Sequence, residues 1–262
     1  MVRKQCSTAL SLSNLPGLDL ALNPYTRCGH DCAYCYAPYV MRTSPDEWSR
    51  NVQAKVNIPQ VLAKELPRKK GVIGLGTVTD PYQPAEKELK LTRRCLEMMT
   101  KVSCQVSVLT KSDLVTRDID LLKRIDRVEV GLTINTLSDD AASIFEPCAP
   151  PPSARLAAMR ALIAAGINGY VFLGPIIPTV TDRDLPGLVA AIRATGANRI
   201  MVDRLNLRPG MRSRMEEALS RKEPGSLPDF RKHVASDEYY AGMTSSIKRV
   251  CADSGIVCQN SF

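Results

Sequence analysis

The feature that most constrains this chain of 262 residues is a short run that holds three of its nine cysteines. The run reads Cys28-Gly29-His30-Asp31-Cys32-Ala33-Tyr34-Cys35, a C-x3-C-x2-C spacing with an aromatic residue before the last cysteine. A [4Fe–4S] cube offers one iron to each thiolate, so a loop with three cysteines leaves one iron open for another ligand. Zinc is the alternative, but zinc sites usually pair two C-x2–4-C knuckles, and the sequence has no second knuckle near this loop.

The residues around the cysteines resemble one known family. The run Leu22–Ala37, which reads LNPYTRCGHDCAYCYA, resembles the cluster loop of the spore photoproduct lyase-like branch of radical S-adenosylmethionine (SAM) proteins. Later segments match landmarks of the same branch, namely Gly76–Glu86, Leu109–Ser112 and Ile176–Pro178. The resemblance covers about residues 15–214. It implies a [4Fe–4S] cluster on Cys28, Cys32 and Cys35, with the amino and carboxylate groups of SAM on the open iron.

Short apolar strands alternate with amphipathic helices along the chain, which indicates repeated βα units and a parallel sheet. We place six strands at residues 19–22, 72–77, 105–110, 127–134, 169–177 and 199–206. Six strands suit the family that the chain resembles, so the expected fold class is α/β, a partial (β/α)6 TIM-type barrel. In such folds the loops at the carboxyl ends of the strands converge on one mouth, where the chemistry gathers.

Two crossover helices are predicted from their patterns. One spans about residues 85–99 as a single helix, with Cys95 on its inward stripe and therefore in the core. The Glu86 carboxylate can serve the start of this helix, where the dipole favours a negative charge. The other helix has Ser153 as its N-cap and ends at Gly166.

The length of the chain suits one well-buried domain. We expect a radical SAM partial barrel with an N-terminal extension over residues 1–215. Residues 216–262 are expected to form a C-terminal helical extension that packs on the barrel.

Composition limits the setting in which the protein works. The nine cysteines are irregularly placed, three belong to the cluster loop, and no apolar stretch follows the basic N-terminus, so we expect a reducing cytoplasm rather than secretion. No stretch is apolar enough to cross a bilayer. The 35 lysines and arginines outnumber the 27 acidic residues, and the formal charge of +8 favours the approach of polyanions.

The densest basic cluster follows the sixth strand. Its candidates for binding substrate phosphate groups are Arg204, Arg208, Arg212 and Arg214, and Arg221 and Lys222 lie just beyond them. The alternative is an ordinary solvated basic surface.

The resemblance also implies which residues hold SAM. Tyr34 stands where the family places an aromatic that contacts the adenine. The other positions that match SAM-binding places are Gly76, Thr79, Asp80, Lys111, Thr133 and Gly174. Lys111 is the best of them, because a lysine at the end of a strand can pair with the carboxylate of SAM. The alternative for Lys111 is a plain solvated charge.

Two tyrosines match a radical relay in spore photoproduct lyase. Tyr34 and Tyr36 flank the last cluster cysteine, as those tyrosines do, and are the catalytic candidates. Thr77 departs from the pattern, because it occupies the place of the hydrogen-donating cysteine. A threonine O–H bond is too strong to donate a hydrogen atom readily, so we do not expect efficient repair of the spore photoproduct unless Cys104 or Cys148 folds back to substitute. The SAM chemistry is not affected by this departure.

Three functions remain open on the sequence. The leading hypothesis is a radical SAM enzyme that acts on a nucleic-acid or nucleotide-like substrate, with a one-electron reductant such as flavodoxin or ferredoxin as partner. One rival is a radical SAM enzyme for a small metabolite or a protein side chain. Another is a non-catalytic iron–sulfur protein that binds nucleic acid. Cys251 and Cys258 can be read as ligands of a second cluster or as a buried thiol pair.

Overall fold

The computed structural model describes residues 1–261. The strands are β1 (Val2–Lys4), β2 (Leu10–Leu12), β3 (Leu20–Leu22), β4 (Tyr25–Thr26), β5 (Gln53–Lys55), β6 (Val72–Leu75), β7 (Gln105–Thr110), β8 (Arg127–Thr133), β9 (Asn168–Ile176), β10 (Arg199–Arg204) and β11 (Val257–Asn260). The helices are α1 (Ala37–Val40), α2 (Pro45–Arg50), α3 (Ile58–Glu65), α4 (Glu86–Leu89), α5 (Leu91–Met99), α6 (Ile119–Leu122), α7 (Asp139–Phe145), α8 (Pro152–Ala164), α9 (Leu185–Ala194), α10 (Met211–Lys222), α11 (Leu227–His233) and α12 (Asp237–Asp253).

Eight strands form the main sheet, in the order β11-β10-β9-β8-β7-β6-β3-β2. Every neighbouring pair from β3 to β11 is parallel, whereas β2 runs antiparallel to β3. The six predicted strands correspond to β3, β6, β7, β8, β9 and β10. Within residues 1–261 the edge strands β2 and β11 do not pair with each other, so the barrel stays open. The predicted partial (β/α)6 barrel is therefore confirmed.

The core lies between the outer face of this sheet and the crossover helices. Gly169 of β9 faces helix α8, since a side chain there would lie 2.7 Å from the Met159 sulfur. The alternate residues face inward, where the Tyr170 ring covers Gly131 of β8 and the Arg199 guanidinium stacks on that ring at 4.6 Å. These side chains fill the barrel towards the amino ends of the strands and leave the opposite end for a site.

The helix predicted over residues 85–99 is two helices. Lys90 adopts a left-handed conformation (φ 52°) and separates α4 from α5. The break exists because the buried Glu86 carboxylate accepts hydrogen bonds from the backbone N–H groups of Thr92 (2.9 Å) and Arg93 (3.2 Å), and so caps α5. Cys95 is fully buried in the core, as predicted.

Helix α8 begins earlier than the sequence pattern indicated. Pro151 is its N-cap and Pro152 its first residue, because the fixed φ of proline suits that position. The Ser153 hydroxyl, predicted to cap the helix, instead donates to Asp139 Oδ2 at 2.6 Å. Gly166 follows the helix with a φ of 81°, in agreement with the prediction that the helix ends there.

The C-terminal segment is not purely helical. Helix α10 runs across the proposed boundary at residues 215 and 216, and β11 joins the main sheet beside β10. The division into a barrel and a C-terminal extension therefore stays a proposal. Phe262, the last residue of the proposed extension, lies outside the described residues. Among residues 1–261 no helix is both long and apolar enough to cross a membrane.

Glu86 provides a test of this packing. Its fully buried carboxylate also accepts from Tyr25 Oη (2.5 Å) and pairs with Arg117 Nη2 (2.7 Å), so Glu86→Ala leaves several groups without a partner. We expect the variant to lose about 3–5 kcal/mol of unfolding free energy in urea titrations. The control Glu88→Ala, on the exposed side of α4, should stay within about 0.5 kcal/mol of the wild type. Equal stability of the two variants would contradict this description of α4 and α5.

Candidate active site

The candidate site lies at the carboxyl ends of the parallel strands. The three cysteines follow β3 and β4, residues 76–80 follow β6, and Lys111 follows β7. Asn135 comes just after β8, and Gly174 lies near the end of β9. Because parallel strands end at the same edge of the sheet, these segments form one mouth.

The cysteine loop is held in shape by polar contacts from elsewhere in the chain. Its turns need left-handed backbone at Arg27 (φ 71°) and Asp31 (φ 55°). The Gln83 amide bridges the loop, since its oxygen accepts from Gly29 N at 2.9 Å and its nitrogen donates to the Arg27 carbonyl at 3.0 Å. The Arg214 guanidinium donates to the Cys32 carbonyl (3.2 Å) and pairs with Asp31.

The three cysteines suit a cofactor that supplies positive charge. Cys28 and Cys32 are buried and Cys35 is partly buried, and all three are free thiols. Burial raises the pKa of the Cys28 thiol to about 12, helped by the Asp80 carboxylate, and burial also raises the pKa of Cys32 and of Cys35. Thiols in such surroundings ionise when a metal supplies the positive charge. In the described chain no three His, Cys, Asp or Glu side chains converge on one metal ion, whereas a cube spreads its ligands over separate irons.

Asp80 joins two of the loops that form the mouth. Its carboxylate accepts hydrogen bonds from the Thr110 hydroxyl (2.6 Å) and from the backbone N–H of Lys111 (2.8 Å) and Tyr82 (2.8 Å). His30 Nδ1 lies 3.4 Å from Asp80 Oδ2, near enough for charge interaction although not aligned as a hydrogen bond. Burial opposes ionisation, but His30 and these hydrogen bonds together hold the pKa of Asp80 below its usual range. Asp80 therefore shapes the site as an anion.

A buried charged network lies behind the cluster loop. The Tyr34 hydroxyl donates to one oxygen of Glu146, and the Arg155 guanidinium pairs with the other. The Lys111 ammonium lies 5.5 Å from the centre of the Tyr34 ring. Burial opposes the charges, but Arg155 and Lys111 lower the pKa of Glu146, while the Cys32 thiolate and Glu146 raise the pKa of Lys111. Lys111 is thus a positive charge that faces the cysteines.

Sequence reasoning missed Glu146 and Arg155. Arg155 also donates to the carbonyls of Thr133 (3.0 Å) and Pro150 (2.7 Å), so it ties β8 to the segment before α8. One signal was available: Arg155 lies four residues before Met159 on the buried face of α8, where a charge needs a partner. The identity of that partner depends on the tertiary fold.

Asn135 is a third residue that sequence reasoning did not select. Its side chain is 4% exposed, and in the described part of the chain neither its amide nitrogen nor its amide oxygen has a hydrogen-bond partner. Buried amides are normally paired, so this position fits a site that a polar ligand completes. Asn135 lines a small cavity of about 10 Å³ together with Glu146 and Arg155.

The remaining SAM candidates lie at the strand ends as expected. At Gly76 (φ 92°) a side chain would lie 2.2 Å from the Leu109 carbonyl, and at Gly174 it would lie 2.5 Å from the Phe172 ring. At both positions the neighbouring strand or ring leaves no room for a side chain, so glycine is required by the packing of the strand ends. Thr79 is buried, and its hydroxyl contacts the Tyr25 carbonyl at 3.3 Å; Thr133 is buried as well. Their roles toward SAM stay predictions.

Tyr36 and Thr77 meet at the rim of the mouth. The Tyr36 ring is 42% exposed, and its hydroxyl donates to the Thr77 carbonyl at 2.8 Å. The Thr77 hydroxyl accepts from Asn23 Nδ2 at 2.9 Å.

Cys104 and Cys148 differ in their distance from the mouth. Cys104 precedes β7 and therefore lies at the opposite end of the strands. Cys148 is exposed and lies beside the cysteine loop, with its backbone nitrogen 3.3 Å from the His30 carbonyl oxygen.

Most of the candidate phosphate-binding arginines have acidic partners. Arg204 pairs with Asp237 at 2.8 Å and Arg212 with Glu216 at 2.8 Å. Arg214 supports the cysteine loop through Asp31. Arg208 is exposed, and within residues 1–261 it makes no ion pair.

Cys251 and Cys258 lie apart from this mouth. Cys251 is buried near the end of α12, and Cys258 is partly buried in β11, a strand at the edge of the sheet. A second cluster on these cysteines stays a prediction.

The chain is similar to proteins from archaea and bacteria. An uncharacterized protein of Methanocaldococcus jannaschii is 36% identical over 183 residues, which cover 70% of each chain. An uncharacterized protein of Mycobacterium bovis is 31% identical over 242 residues, which cover 87% of this chain and 71% of the relative.

Solved structures share the fold at low sequence identity. A spore photoproduct lyase variant with bound AdoMet and dinucleoside spore photoproduct has a TM-score of 0.78 and 14% identity, and the match covers 100% of this chain and 81% of that one. Streptococcus suis SuiB bound to its precursor peptide SuiA has a TM-score of 0.59 and 11% identity, covering 94% of this chain and 50% of that one.

The family model for the Radical SAM superfamily matches residues 22–192, which include the cysteine loop and strands β6 to β9. Enzymes of this superfamily use a [4Fe–4S] cluster and SAM. The match extends over well more than half of the sequence and takes in the elements that build the mouth. The chain therefore belongs to the radical SAM superfamily.

Proposed function

We propose that this radical SAM enzyme binds its [4Fe–4S] cluster through Cys28, Cys32 and Cys35 and removes a hydrogen atom from a nucleic-acid or nucleotide-like substrate. The observation that carries the proposal is the position of these thiols at the mouth, where the Lys111 ammonium faces them. Bound together, the reduced cluster and SAM supply a 5′-deoxyadenosyl radical as the hydrogen-abstracting group.

The chain's own residues have distinct tasks in this proposal. Lys111 pairs with the carboxylate of SAM, and its positive charge is maintained by Glu146 and Cys32. Asp80 fixes the backbone of Lys111 through the 2.8 Å hydrogen bond described above. Tyr34, anchored by Glu146, is assigned the contact with the adenine that the family resemblance implies. The orphaned Asn135 amide offers one donor and one acceptor to a polar part of the ligand.

Tyr36 is proposed to carry the radical between the mouth and the substrate. Its ring reaches the solvent at the rim, whereas the Tyr34 ring is buried behind the cysteines. Burial and the Glu146 carboxylate raise the pKa of Tyr34 well above its ordinary value, so its phenol stays protonated. Tyr34 and Tyr36 are therefore both available in the protonated form from which a hydrogen atom can leave.

The substrate class rests on two supports. A structural neighbour whose match covers the whole of this chain was solved with a dinucleoside photoproduct bound, and the exposed Arg208 guanidinium, which makes no ion pair within residues 1–261, can bind a phosphate group. A peptide substrate is the second candidate, favoured by the similarity to the peptide-bound SuiB fold.

A non-catalytic cluster protein is less well supported, since a structural cluster normally has four protein ligands and this loop supplies three.

The cluster assignment has a direct test. Anaerobic reconstitution should give roughly four irons per chain and a broad visible absorbance. Changing Cys28, Cys32 and Cys35 together to Ala should remove both, and with them the dithionite-driven cleavage of SAM to 5′-deoxyadenosine. The matched control changes Cys6, Cys104 and Cys148 to Ala and should keep the iron. Retention of the iron by the first variant, or bound zinc alone in the wild type, would refute the assignment.

The substrate class can be tested by salt dependence. Each phosphate contact releases counterions, so log affinity for nucleic acid falls with log salt by about 0.7–0.9 per contact. Arg208→Ala should lower that slope by about 1, whereas the control Arg160→Ala, exposed on α8, should leave it unchanged. Anisotropy titrations with single-stranded DNA, duplex DNA and tRNA provide the measurement. Absence of saturable binding to all of them at about 150 mM salt would move the proposal to a peptide or a small molecule.

Thr77 gives a prediction about the reaction itself. The wild type should cleave SAM yet turn over a dinucleoside spore photoproduct much more slowly, because Thr77 offers no weak bond to hydrogen. Thr77→Cys should raise photoproduct turnover without a matching rise in SAM cleavage, and Thr77→Ser serves as the control. Wild-type repair at the rate of SAM cleavage would show that the donor lies elsewhere, with Cys148 as the first residue to examine.

A further inference from the structure

Helix α1, directly after the cysteine loop, presents an apolar face to the solvent. Tyr36 is 42% exposed, Val40 56% and Met41 48%. Tyr36 and Val40 are linked by the backbone bond from Val40 N to the Tyr36 carbonyl at 3.3 Å, so they lie on the same side of the turn. Exposed apolar side chains that lie together mark interaction surfaces more often than isolated ones do.

The buried side of the same helix contacts the cluster residues. Ala37 is 1% exposed and packs with Cys28 and Trp48, and Cys35 lies against that group. A single short helix therefore separates the cysteines from the solvent at this point. A redox partner on the outer face of α1 would be separated from Cys28 and Cys35 by this one helix.

The rim of this face is basic. Arg42, at the end of α1, is exposed and makes no ion pair within residues 1–261. Arg208 lies on the loop that reaches α1 through Gly210, whose side-chain position is 3.9 Å from the Tyr39 hydroxyl. The acidic groups nearby are already engaged, since Glu47 pairs with Arg27 and Asp46 lies 4.0 Å from Arg50. The face therefore suits an acidic partner.

We propose that an acidic one-electron carrier protein docks on the α1 face, defined as Val40, Met41 and Arg42, to reduce the cluster. This inference rests on the proposed function. One electron passes from the flavin hydroquinone of the carrier, which becomes the semiquinone, to the oxidised cluster, whose charge falls by one. No covalent bond is made or broken. The small area of the face agrees with redox encounters, which bury less surface than stable complexes.

Nucleic acid is the competing occupant. Surfaces that bind single strands stack bases on aromatic rings; the exposed Tyr36 ring borders this face but belongs to the rim of the mouth, and Val40 and Met41 themselves offer neither a ring nor a hydrogen bond to a base. Methionine is instead enriched where proteins meet. The composition of the face thus favours a protein.

Charge reversal on this face tests the proposal with the reconstituted holoenzyme and flavodoxin. The variants are Arg42→Glu and the double change Val40→Glu with Met41→Glu. The control is Leu12→Glu, 84% exposed on the edge strand β2. Biolayer interferometry on immobilised oxidised flavodoxin should show at least about tenfold weaker binding for both variants, with a reduced salt dependence, and no change for the control. Stopped-flow reduction of the cluster by flavodoxin hydroquinone should slow by a similar factor.

Reduction by dithionite separates the possible failures. All variants should keep the wild-type iron content and the wild-type SAM cleavage with dithionite, since the small reductant needs no docking face. Loss of the cluster or of dithionite-driven cleavage in the wild type would refute the proposed function instead. Unchanged flavodoxin binding and reduction in both variants, or a wild type that flavodoxin neither binds nor reduces, would overturn the docking proposal. Loss of DNA binding alone would assign the face to nucleic acid.

Discussion

The organisation of the site depends on one buried carboxylate, that of Glu146. An ionised carboxylate away from water is unfavourable unless it is paired and hydrogen-bonded, and Glu146 meets both conditions through Arg155 and Tyr34. Tyr34 belongs to the cysteine loop and Arg155 to helix α8, so neutralising this one charge joins two parts of the chain that are distant in sequence. Removing Arg155 would leave the buried Glu146 charge without its ion-pair partner, and removing Tyr34 would remove a hydrogen bond from it.

The same carboxylate also determines the electrostatics of the cysteines. It helps to keep Lys111 protonated in a half-buried position, and Lys111 in turn faces the Cys32 thiol. Asp80 acts in parallel, because it holds the backbone of Lys111 while its charge interacts with His30 and Cys28. Two buried anions therefore fix a cation at the mouth, and a cation there suits a cofactor that carries a carboxylate. Cofactor binding and the stability of the mouth rest on the same contacts.

The sequence was sufficient for the elements that depend on local pattern. Strand β7 begins and ends at the predicted residues, because Val106, Val108 and Leu109 form a short stretch rich in strand-favouring side chains. The break at Lys90 could not be predicted, since it depends on Glu86 turning back to cap the next helix. Arg155 showed an unusual charge on an apolar helix face, but its partner Glu146 is set by tertiary packing. The orphaned Asn135 amide is likewise visible only in the folded chain.

The proposed function requires a cluster held by three cysteines, with one iron open, and a cation beside it that binds SAM. Electron paramagnetic resonance of the dithionite-reduced, reconstituted protein, recorded with and without SAM, tests both parts. We predict a [4Fe–4S]⁺ signal whose g values shift when SAM is added, and at least about tenfold more SAM needed for the same shift in Lys111→Ala, because a charge-assisted contact is lost. A signal unchanged by saturating SAM would contradict the account, since no iron would then be open to the cofactor.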